Sequence, residues 1–309
     1  MLSRLAEYGL RDTVEVISAD SRQVYRGMDI GTAKPDLDER RRTPYHLIDV
    51  IDPTERFDAG EFVTACDRLI PEISSRGKRA VISGGTAFYI KAYLFGLPGT
   101  PRATEEVRRT LETRAAEEGL DELRRELRRV DPTTEGRIAP NDRYRILRAL
   151  EVWYTAGRPL SSYEEPSTPR RGIEALLIGL RRDRRALYRR IDERVGRMFA
   201  EGLADEVKRL LDGGVDPSVP GFQAIGYREF VEVGGLPPWT DDELAEIERL
   251  IARNSRRYAK RQELFFRRLP GVRWIDADDV EAIVAAVREK YDGHDRRGAH
   301  DSIVPESGR

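Results

Sequence analysis

The chain is poor in the residues from which redox and metal sites are built. Its single cysteine, Cys66, excludes an internal disulfide, and its three histidines, His46, His294 and His300, are scattered without zinc-site spacing. No apolar run approaches the ~18–20 residues of a membrane-spanning helix, since the longest, at 175–180, is strand-sized. The opening residues show no secretory pattern. We therefore expect a cytoplasmic protein with no membrane segment and no structural metal.

Lysine is also scarce, because only six of the 54 basic residues are lysine. The coding bias of a GC-rich genome can produce such an arginine excess by itself, and the net charge of −1 argues against unspecific polyanion binding. The placement of the arginines is more informative. Residues 181–197 and 253–268 are strongly basic where solvated helix faces usually alternate in sign, and the second stretch interleaves tyrosine and phenylalanine. Such mixtures are typical of nucleic-acid-binding surfaces.

Strand and helix patterns alternate in the first hundred residues. The apolar run at 14–18 predicts a strand, 45–52 a second short strand, and 59–77 an amphipathic helix. Residues 79–96 have the pattern of a strand, a Gly-Gly-Thr turn and a helix, and 174–180 that of a further strand. This alternation indicates an α/β fold with a parallel, doubly wound sheet.

Helical patterns replace strands from Thr104 onward. We predict an α/β catalytic core with C-terminal helices over 1–100 and 172–292, a helical insertion over 101–171, and a disordered tail over 293–309. The predicted helices of the second half are 184–200, 203–212, 222–233 and 241–268.

Two short stretches at the ends of predicted strands carry candidate chemistry. Asp20-Ser21 follows strand 14–18, and ligands bind at the carboxyl ends of strands in open α/β sheets. An aspartate there serves as a general base, holds a metal, or caps the next turn. Residues 84–86, Gly-Gly-Thr, join a strand to a helix, where backbone amides bind anions or where a threonine simply caps the helix. Each pattern alone leaves both interpretations open.

Five stretches that occur in one order are far more specific together. They are ISADSRQVYRGMDIGTAKP from Ile17, SGGTAFYIKAYLFGL from Ser83, PNDRYRILRALEV from Pro140, FQAIGYREF from Phe222, and RRYAKRQELFFRR from Arg256. With these motifs the chain resembles the tRNA dimethylallyltransferases, also called tRNA isopentenylpyrophosphate transferases, from about Val14 to Trp274.

The resemblance implies a fold, a reaction and partners. The fold is a P-loop-kinase-like parallel sheet with a helical insertion that closes on the tRNA anticodon stem-loop. The reaction moves a dimethylallyl group from dimethylallyl diphosphate to the exocyclic amine of the adenosine 3′ of the anticodon. A monomeric enzyme that uses Mg2+ is expected on the same grounds. Such chemistry needs a base for a poorly nucleophilic amine, cations for the departing diphosphate, and a pocket for an adenine swung out of its loop.

The resemblance also implies roles for individual residues. Asp20 matches the catalytic base, Thr86 a threonine near the same amine, and Arg190 and Arg194, one helical turn apart, match arginines that face the diphosphate. Metal ligands are left unassigned. The residues implied in tRNA binding are Asp20, Ser21, Arg22, Gln23, Thr86, Arg108, Tyr144, Arg145, Ile146, Leu147, Arg148, Gln223, Ala224, Ile225, Gly226, Tyr227, Arg228, Lys260, Arg261, Gln262 and Arg267.

Plainer interpretations of two groups are open at this point. Arg190 and Arg194 have Asp183 and Glu193 nearby in the sequence, so surface ion pairs are the alternative to a diphosphate site. For the aromatic residues of 253–268 we expect core positions, where the rings pack the helix whose arginines contact phosphate.

One motif of the family is missing. A strand and a glycine-rich phosphate loop, G-x-x-x-x-G-K-[ST], are expected ahead of residues 2–9, LSRLAEYG, which have the pattern of a helix end. The only Gly-Lys pair, at 77–78, is followed by Arg79 and has Glu72 where the first glycine belongs. We therefore expect that the start lies at an internal methionine and that the chain is inactive as it stands.

Two other functions are therefore open. A tRNA-binding protein without chemistry is one, because it does not need the phosphate loop. A prenyltransferase acting on free adenine nucleotides is the other, although a small substrate needs neither the helical insertion nor the basic stretch at 253–268.

Overall fold

The computed structural model describes residues 13–298, with side chains up to residue 290. The helix end predicted at 2–9 and most of the predicted tail, 299–309, lie outside the described residues. The chain forms two compact units, one made of the residues up to Ala92 and from Gly172, the other of Tyr93–Arg171. No helix in the described part is both long and apolar enough to cross a bilayer.

A parallel sheet, ordered β2-β1-β3 within the described residues, lies in the first unit. β1 spans Val14–Ser18, β2 Tyr45–His46 and β3 Arg79–Ser83. The β-branched residues of β1 favour an extended backbone, and Val16 and Ile17 are fully buried. The predicted α/β fold with a parallel sheet is confirmed.

A second pair of parallel strands lies in the same unit. β4, Ile178–Arg181, pairs with β5, Arg273–Asp276. The sequence predicts β4 within 174–180, one residue short of its end, and contains no clear signal for β5. Ile275 of β5 is packed against Ile283, so the pair is buried on one side.

Helices make up most of both units. In chain order they are α1 (Leu37–Arg42), α2 (Ala59–Ser75), α3 (Ala87–Phe95), α4 (Glu105–Glu117), α5 (Leu120–Val130), α6 (Pro132–Glu135), α7 (Arg143–Ala156), α8 (Arg184–Ala200), α9 (Leu203–Asp212), α10 (Arg228–Gly234), α11 (Asp241–Phe266) and α12 (Val280–Gly298). α8 and α9 have the predicted bounds, and Asp183 caps α8 by accepting from the amides of Arg185 and Ala186.

Two predicted segments differ in the structure. The helix predicted at 222–233 is divided, because Gly226 adopts a φ of 102° and α10 begins only at Arg228. α12 continues through residues 293–298, where the sequence predicts the beginning of a disordered tail.

Within the described residues, all regular secondary structure of the second unit is helical. Leu123, Leu127, Ile146 and Leu150 are fully buried and form the centre of its core. α7 begins after Asp142, whose side chain accepts from the Arg145 amide. That this unit closes on tRNA, and where the functional domains begin and end, stay predictions.

The core of the first unit positions the segment that follows β1. Val24 and Met28 of this segment are buried together with Phe222, Tyr227 and Phe230. Residues of α8, α9 and α11 complete the same cluster. The core therefore holds the segment after β1 in a defined place among these helices.

Candidate active site

Asp20 lies just beyond the carboxyl end of β1 and is half-buried. Its Oδ1 accepts from the amide of Arg22 at 2.8 Å and from that of Gln23 at 3.4 Å, so the side chain stabilises its own turn. No other hydrogen bond to this carboxylate occurs among the described residues. One oxygen is thus held in place while the other is free to accept a proton.

Thr86 is brought next to this turn by the loop between β3 and α3. Its Oγ1 accepts from the Ser21 amide at 2.9 Å, and its own amide donates to the Ala19 carbonyl at 2.9 Å. Gly84 allows this approach, because a Cβ there would overlap the Ala19 backbone. The two candidate stretches of the sequence therefore meet at one point, as expected for the carboxyl ends of neighbouring parallel strands.

α11 contributes two further side chains at the same loop. Gln262 Nε2 donates to the Gly85 carbonyl at 2.7 Å, and the Tyr258 hydroxyl lies 3.3 Å from the same oxygen. The expectation that Tyr258 belongs to the core is wrong, because 37% of its surface is exposed. The i, i+4 spacing of Tyr258 and Gln262 is the sequence signal that could have placed both at the site.

Arg194 of α8 lies within electrostatic range of Asp20. Burial lowers the pKa of the Arg194 guanidinium, the negative charge of Asp20 opposes this effect, and Arg197 adds to it. The side chain nevertheless keeps a solvent-exposed surface, as expected for a cation at the wall of an open cleft. Two arginines close together on one helix, with an acid in electrostatic range, favour an anionic ligand.

Neither Arg190 nor Arg194 forms an ion pair within the described part of the chain, and Arg190 is exposed. The alternative, in which these arginines form surface ion pairs with Asp183 or Glu193, is therefore not what the structure shows. Asp183 instead caps the first turn of α8. A role of both arginines in diphosphate binding stays a prediction.

A cleft of about 940 Å³ is lined by α8 and by residues from Asp29 to Arg41. Most acids along it have local cations: Lys34 Nζ lies 2.7 Å from Asp29 and 2.5 Å from Asp49, and Arg40 also contacts Asp49. Arg194 and Arg197 line the same cleft. Since these two arginines outnumber the one acid on their side, Glu201, the α8 side of the cleft is its electropositive wall.

Glu206 anchors the loop on the other wall of this cleft. It is 2% exposed and accepts from the amides of Asp29 at 2.9 Å, Ile30 at 2.8 Å and Gly31 at 3.2 Å, and from the Tyr227 hydroxyl at 2.7 Å. Sequence patterns do not indicate this role, because nothing in the chain near Glu206 marks its distant partners.

Gln23 connects that loop to the Asp20 turn. Its Nε2 donates to the carbonyls of Thr32 at 3.3 Å and Ala33 at 3.2 Å, and its Oε1 accepts from the Ser18 hydroxyl at 2.9 Å. Arg22 is directed elsewhere, since its guanidinium donates to the Pro220 carbonyl at 3.1 Å.

The predicted tRNA-binding stretch at 223–228 is partly interior. Ala224, Gly226 and Tyr227 are buried, whereas Gln223 is exposed and Ile225 and Arg228 are partly so. On α11, Lys260 and Arg261 are exposed and Arg267 pairs with Glu263 at 2.5 Å. All of these residues belong to the first unit, and their contacts with tRNA stay predictions.

The other predicted tRNA-binding residues lie in the second unit. Tyr144 is 74% exposed and Arg145 is exposed, whereas Ile146 and Leu147 belong to the core of that unit. The last two residues of the set are partly buried and paired within the unit: Arg108 with Glu105 and Glu151, and Arg148 with Glu151 and the Pro101 carbonyl. tRNA contacts here stay predictions as well.

Known proteins are similar to this chain over most of its length. The family described as IPP transferase matches residues 23–269. The tRNA dimethylallyltransferase of Geobacter metallireducens is 45% identical over 264 residues, which are 85% of this chain and 84% of that protein. The protein of the same name from Geobacter sulfurreducens is 45% identical over 281 residues, covering 90% and 89%.

Solved structures are similar as well. The tRNA isopentenylpyrophosphate transferase of Bacillus halodurans superposes with a TM-score of 0.62 at 36% identity, covering 95% of this chain and 94% of that one. A eukaryotic dimethylallyltransferase acting on tRNA has a TM-score of 0.69 at 24% identity, covering 99% and 77%, which is a likeness of fold alone.

Proposed function

Since the chain belongs to the IPP transferase family, we propose that it transfers a dimethylallyl group from dimethylallyl diphosphate to the exocyclic amine of an adenosine in tRNA. The adenosine is the one 3′ of the anticodon. The observation that carries the proposal is the meeting of the Asp20 turn and Thr86 at the carboxyl ends of β1 and β3, with Arg194 within electrostatic range of Asp20. A base and a cation for a leaving anion are thus brought together in a member of a prenyl-transferring family.

Asp20 acts as the general base. The exocyclic amine of adenine is a poor nucleophile, because its lone pair is delocalised into the ring. As the new carbon–nitrogen bond forms, the carbon–oxygen bond to diphosphate breaks and the amine proton passes to the carboxylate oxygen of Asp20 that has no hydrogen bond in the described residues. Thr86, which fixes the Ser21 amide, keeps the Asp20 turn aligned with the substrate.

Cations receive the departing diphosphate. Arg194 and Arg197 line the electropositive wall of the cleft, and Arg190 stands one turn before Arg194 on α8. Charge-assisted hydrogen bonds to phosphate oxygens are among the strongest that a protein offers. These arginines therefore stabilise the charge that develops as the carbon–oxygen bond breaks.

Mg2+ belongs to the same proposal. The described residues contain no group of three or more His, Cys, Asp or Glu that could hold a metal ion, so the ion would be held mostly by diphosphate oxygens. The protein donors would be the hydroxyls of Ser21 and Thr86, whose oxygens are 3.3 Å apart. When bound, the ion supplies positive charge to the leaving group. We also propose that the protein acts as a monomer in the cytoplasm.

Radiolabelled dimethylallyl diphosphate tests the proposal. The protein is incubated with the labelled donor and tRNA, and the tRNA is digested to nucleosides. The expected product is adenosine labelled on its exocyclic amine. The assay is run on this chain and on the same chain preceded by a strand and a glycine-rich loop, because the sequence predicts that transfer needs that loop.

Two results contradict the proposal. If free adenine nucleotides are labelled in a parallel incubation and tRNA is not, the protein is a prenyltransferase of small substrates. Tight tRNA binding without label, in both proteins, indicates a binding protein without chemistry.

A further inference from the structure

We propose that the ring of Tyr258 is the platform on which the substrate adenine stacks while Asp20 deprotonates its amine. This inference rests on the proposed function and names the residue against which the adenine ring of the substrate stacks. It assigns to α11 a direct contact with the reacting nucleotide, in addition to the contacts with the RNA backbone expected from its cations.

Tyr258 is fixed at the site by its hydroxyl and not by burial of its ring. The hydroxyl lies 3.3 Å from the Gly85 carbonyl, which also accepts from Gln262 one turn along α11. Thr86, the next residue after that carbonyl, holds the Ser21 amide of the Asp20 turn. Tyr258 of α11 and Asp20 of the segment after β1 therefore both lie next to the loop between β3 and α3.

The ring itself is available to a ligand. The residue is 37% exposed, although its hydroxyl lies 3.3 Å from the Gly85 carbonyl. The guanidinium of Arg261 lies over the ring, 5.9 Å from its centroid, at the outer limit of a cation–π contact. We place the planar base on the exposed part of the ring that Arg261 does not cover.

The electrostatic effect of Asp20 on Tyr258 agrees with an adenine placed between the two side chains. Burial raises the pKa of the Tyr258 hydroxyl, and the negative charge of Asp20 raises it further. The Tyr258 hydroxyl thus lies within electrostatic range of the Asp20 carboxylate, which receives the amine proton. A base whose amine meets Asp20 has its ring within reach of Tyr258.

The position on α11 favours adenine over the dimethylallyl group as the occupant. Lys260 and Arg261 are exposed on this helix around Tyr258, as RNA-phosphate contacts require. The arginines proposed for diphosphate lie instead on α8, where Arg194 and Arg197 line the cleft. The donor is therefore expected from the α8 side and the nucleotide from the α11 side. Enzymes that act on flipped bases commonly stack them on aromatic rings.

A double-mutant cycle tests the stacking directly. The full chain and its Tyr258→Ala and Tyr258→Phe variants are titrated against a fluorescent anticodon stem-loop RNA and against the same RNA with an abasic residue at the target position. We expect Tyr258→Ala to weaken binding of the intact RNA roughly tenfold or more, and that of the abasic RNA less than about twofold. Tyr258→Phe retains the ring and is expected to stay within about threefold of the wild type on both.

Phe88 offers a matched control, because it is 49% exposed in the same unit and has no role in the proposal. Phe88→Ala is expected to leave both affinities unchanged. Equal losses on both RNAs for Tyr258→Ala, or none on either, would overturn the inference. So would a loss confined to binding of dimethylallyl diphosphate. If the wild type itself binds intact and abasic RNA equally, recognition of the adenosine fails and the proposed function falls with the inference.

Discussion

Asp20 is held by its own turn and not by a neighbouring side chain. The amides of Arg22 and Gln23 both point at Oδ1, and an asparagine oxygen can accept the same two bonds. Asparagine therefore preserves the local fold while it removes the capacity to accept a proton. This makes residue 20 a position where chemistry can be separated from structure.

We predict that Asp20→Asn lowers prenyl transfer by about 10²–10⁴-fold, the usual contribution of a general base, and changes tRNA affinity by only a few fold. Single-turnover transfer from radiolabelled donor, in a form of the chain that is active, measures the rate. Asp121→Asn, on an exposed first turn of α5, serves as the matched control. Retention of more than about a tenth of the rate would remove Asp20 from the role of base.

We predict that Arg190→Ala and Arg194→Ala weaken binding of dimethylallyl diphosphate more than binding of tRNA. The reason is that each removes a charge-assisted contact to phosphate oxygens, worth roughly 1.5–3 kcal/mol or about 10–150-fold in affinity. Dissociation constants for both ligands measure the effect, with Arg185→Ala, on another face of α8, as the control. Equal losses for donor and tRNA would make α8 a general phosphate-binding surface.

At the scale of elements, Glu15 joins β1 to two neighbours. Its carboxylate accepts from Arg76, the residue after α2, at 2.7 Å and contacts His46 of β2 at 2.7 Å. The hydrogen bond from Arg76 is the largest influence and lowers the pKa of Glu15 to about 2. Since the folded state binds this proton more weakly than the unfolded state, Glu15 stabilises the fold above a pH of about 4.5, and the effect disappears as the pH falls towards 2.

We predict that Glu15→Gln lowers the melting temperature at pH 7 by about 2–5 °C, because a neutral amide with one acceptor oxygen replaces the buried carboxylate that Arg76 and His46 contact. The difference from the wild type should shrink as the pH falls from about 4.5 towards 2, when Glu15 itself becomes protonated. Thermal melts across this pH range measure it, with the exposed Glu106→Gln as control. A pH-independent difference would mean that shape, and not charge, accounts for the loss.

Elements with clear local signals are predicted well from the sequence. β1 at Val14–Ser18 and α8 at Arg184–Ala200 have the predicted bounds, because a β-branched run and an Asp183 cap are local features. β5 is missed because its four residues are stabilised by pairing with β4, which is distant in the chain. α1, LDERRR, is missed because it has no apolar periodicity and no buried residue.

The candidate site divides in the same way. The meeting of Asp20 with Thr86 follows from strand order and is predictable, since parallel strands end at one edge. The position of Tyr258 at the site is not predictable, because helical periodicity cannot distinguish a ring in the core from a ring that faces a loop of another element. Glu206 is not predictable either, since a carboxylate that binds three distant amides resembles any surface glutamate in the sequence.

At the scale of the whole molecule, charge is nearly balanced but unevenly placed. The net charge is −1, whereas the last turns of α11 carry Lys260 and Arg261 exposed. The first turns of the same helix are acidic, and Arg249 there is paired with Glu246 at 2.6 Å. Because local charge governs RNA binding, the end of α11 that bears Lys260 and Arg261 is expected to attract RNA despite the acidic total.

We predict that tRNA affinity falls steeply with salt and that Lys260→Ala and Arg261→Ala each reduce the log–log slope by about one. Fluorescence anisotropy at several KCl concentrations measures the slope. Arg249→Ala, which removes an arginine already neutralised by Glu246, is expected to leave it unchanged. Slopes that do not respond to the first two changes would place the RNA elsewhere on the protein.

The anchors of the Asp20 segment have a consequence for synthesis on the ribosome. Arg22 donates to the Pro220 carbonyl 198 residues later, and Asp29 donates to Glu206 177 residues later. At about 5–20 residues per second, roughly 10–40 s of translation separate these partners. During that time the second unit can fold on its own local contacts, while the segment that bears Asp20 has emerged but lacks its partners. The segment that bears Asp20, although made early, is therefore expected to be among the last parts of the nascent chain to become ordered.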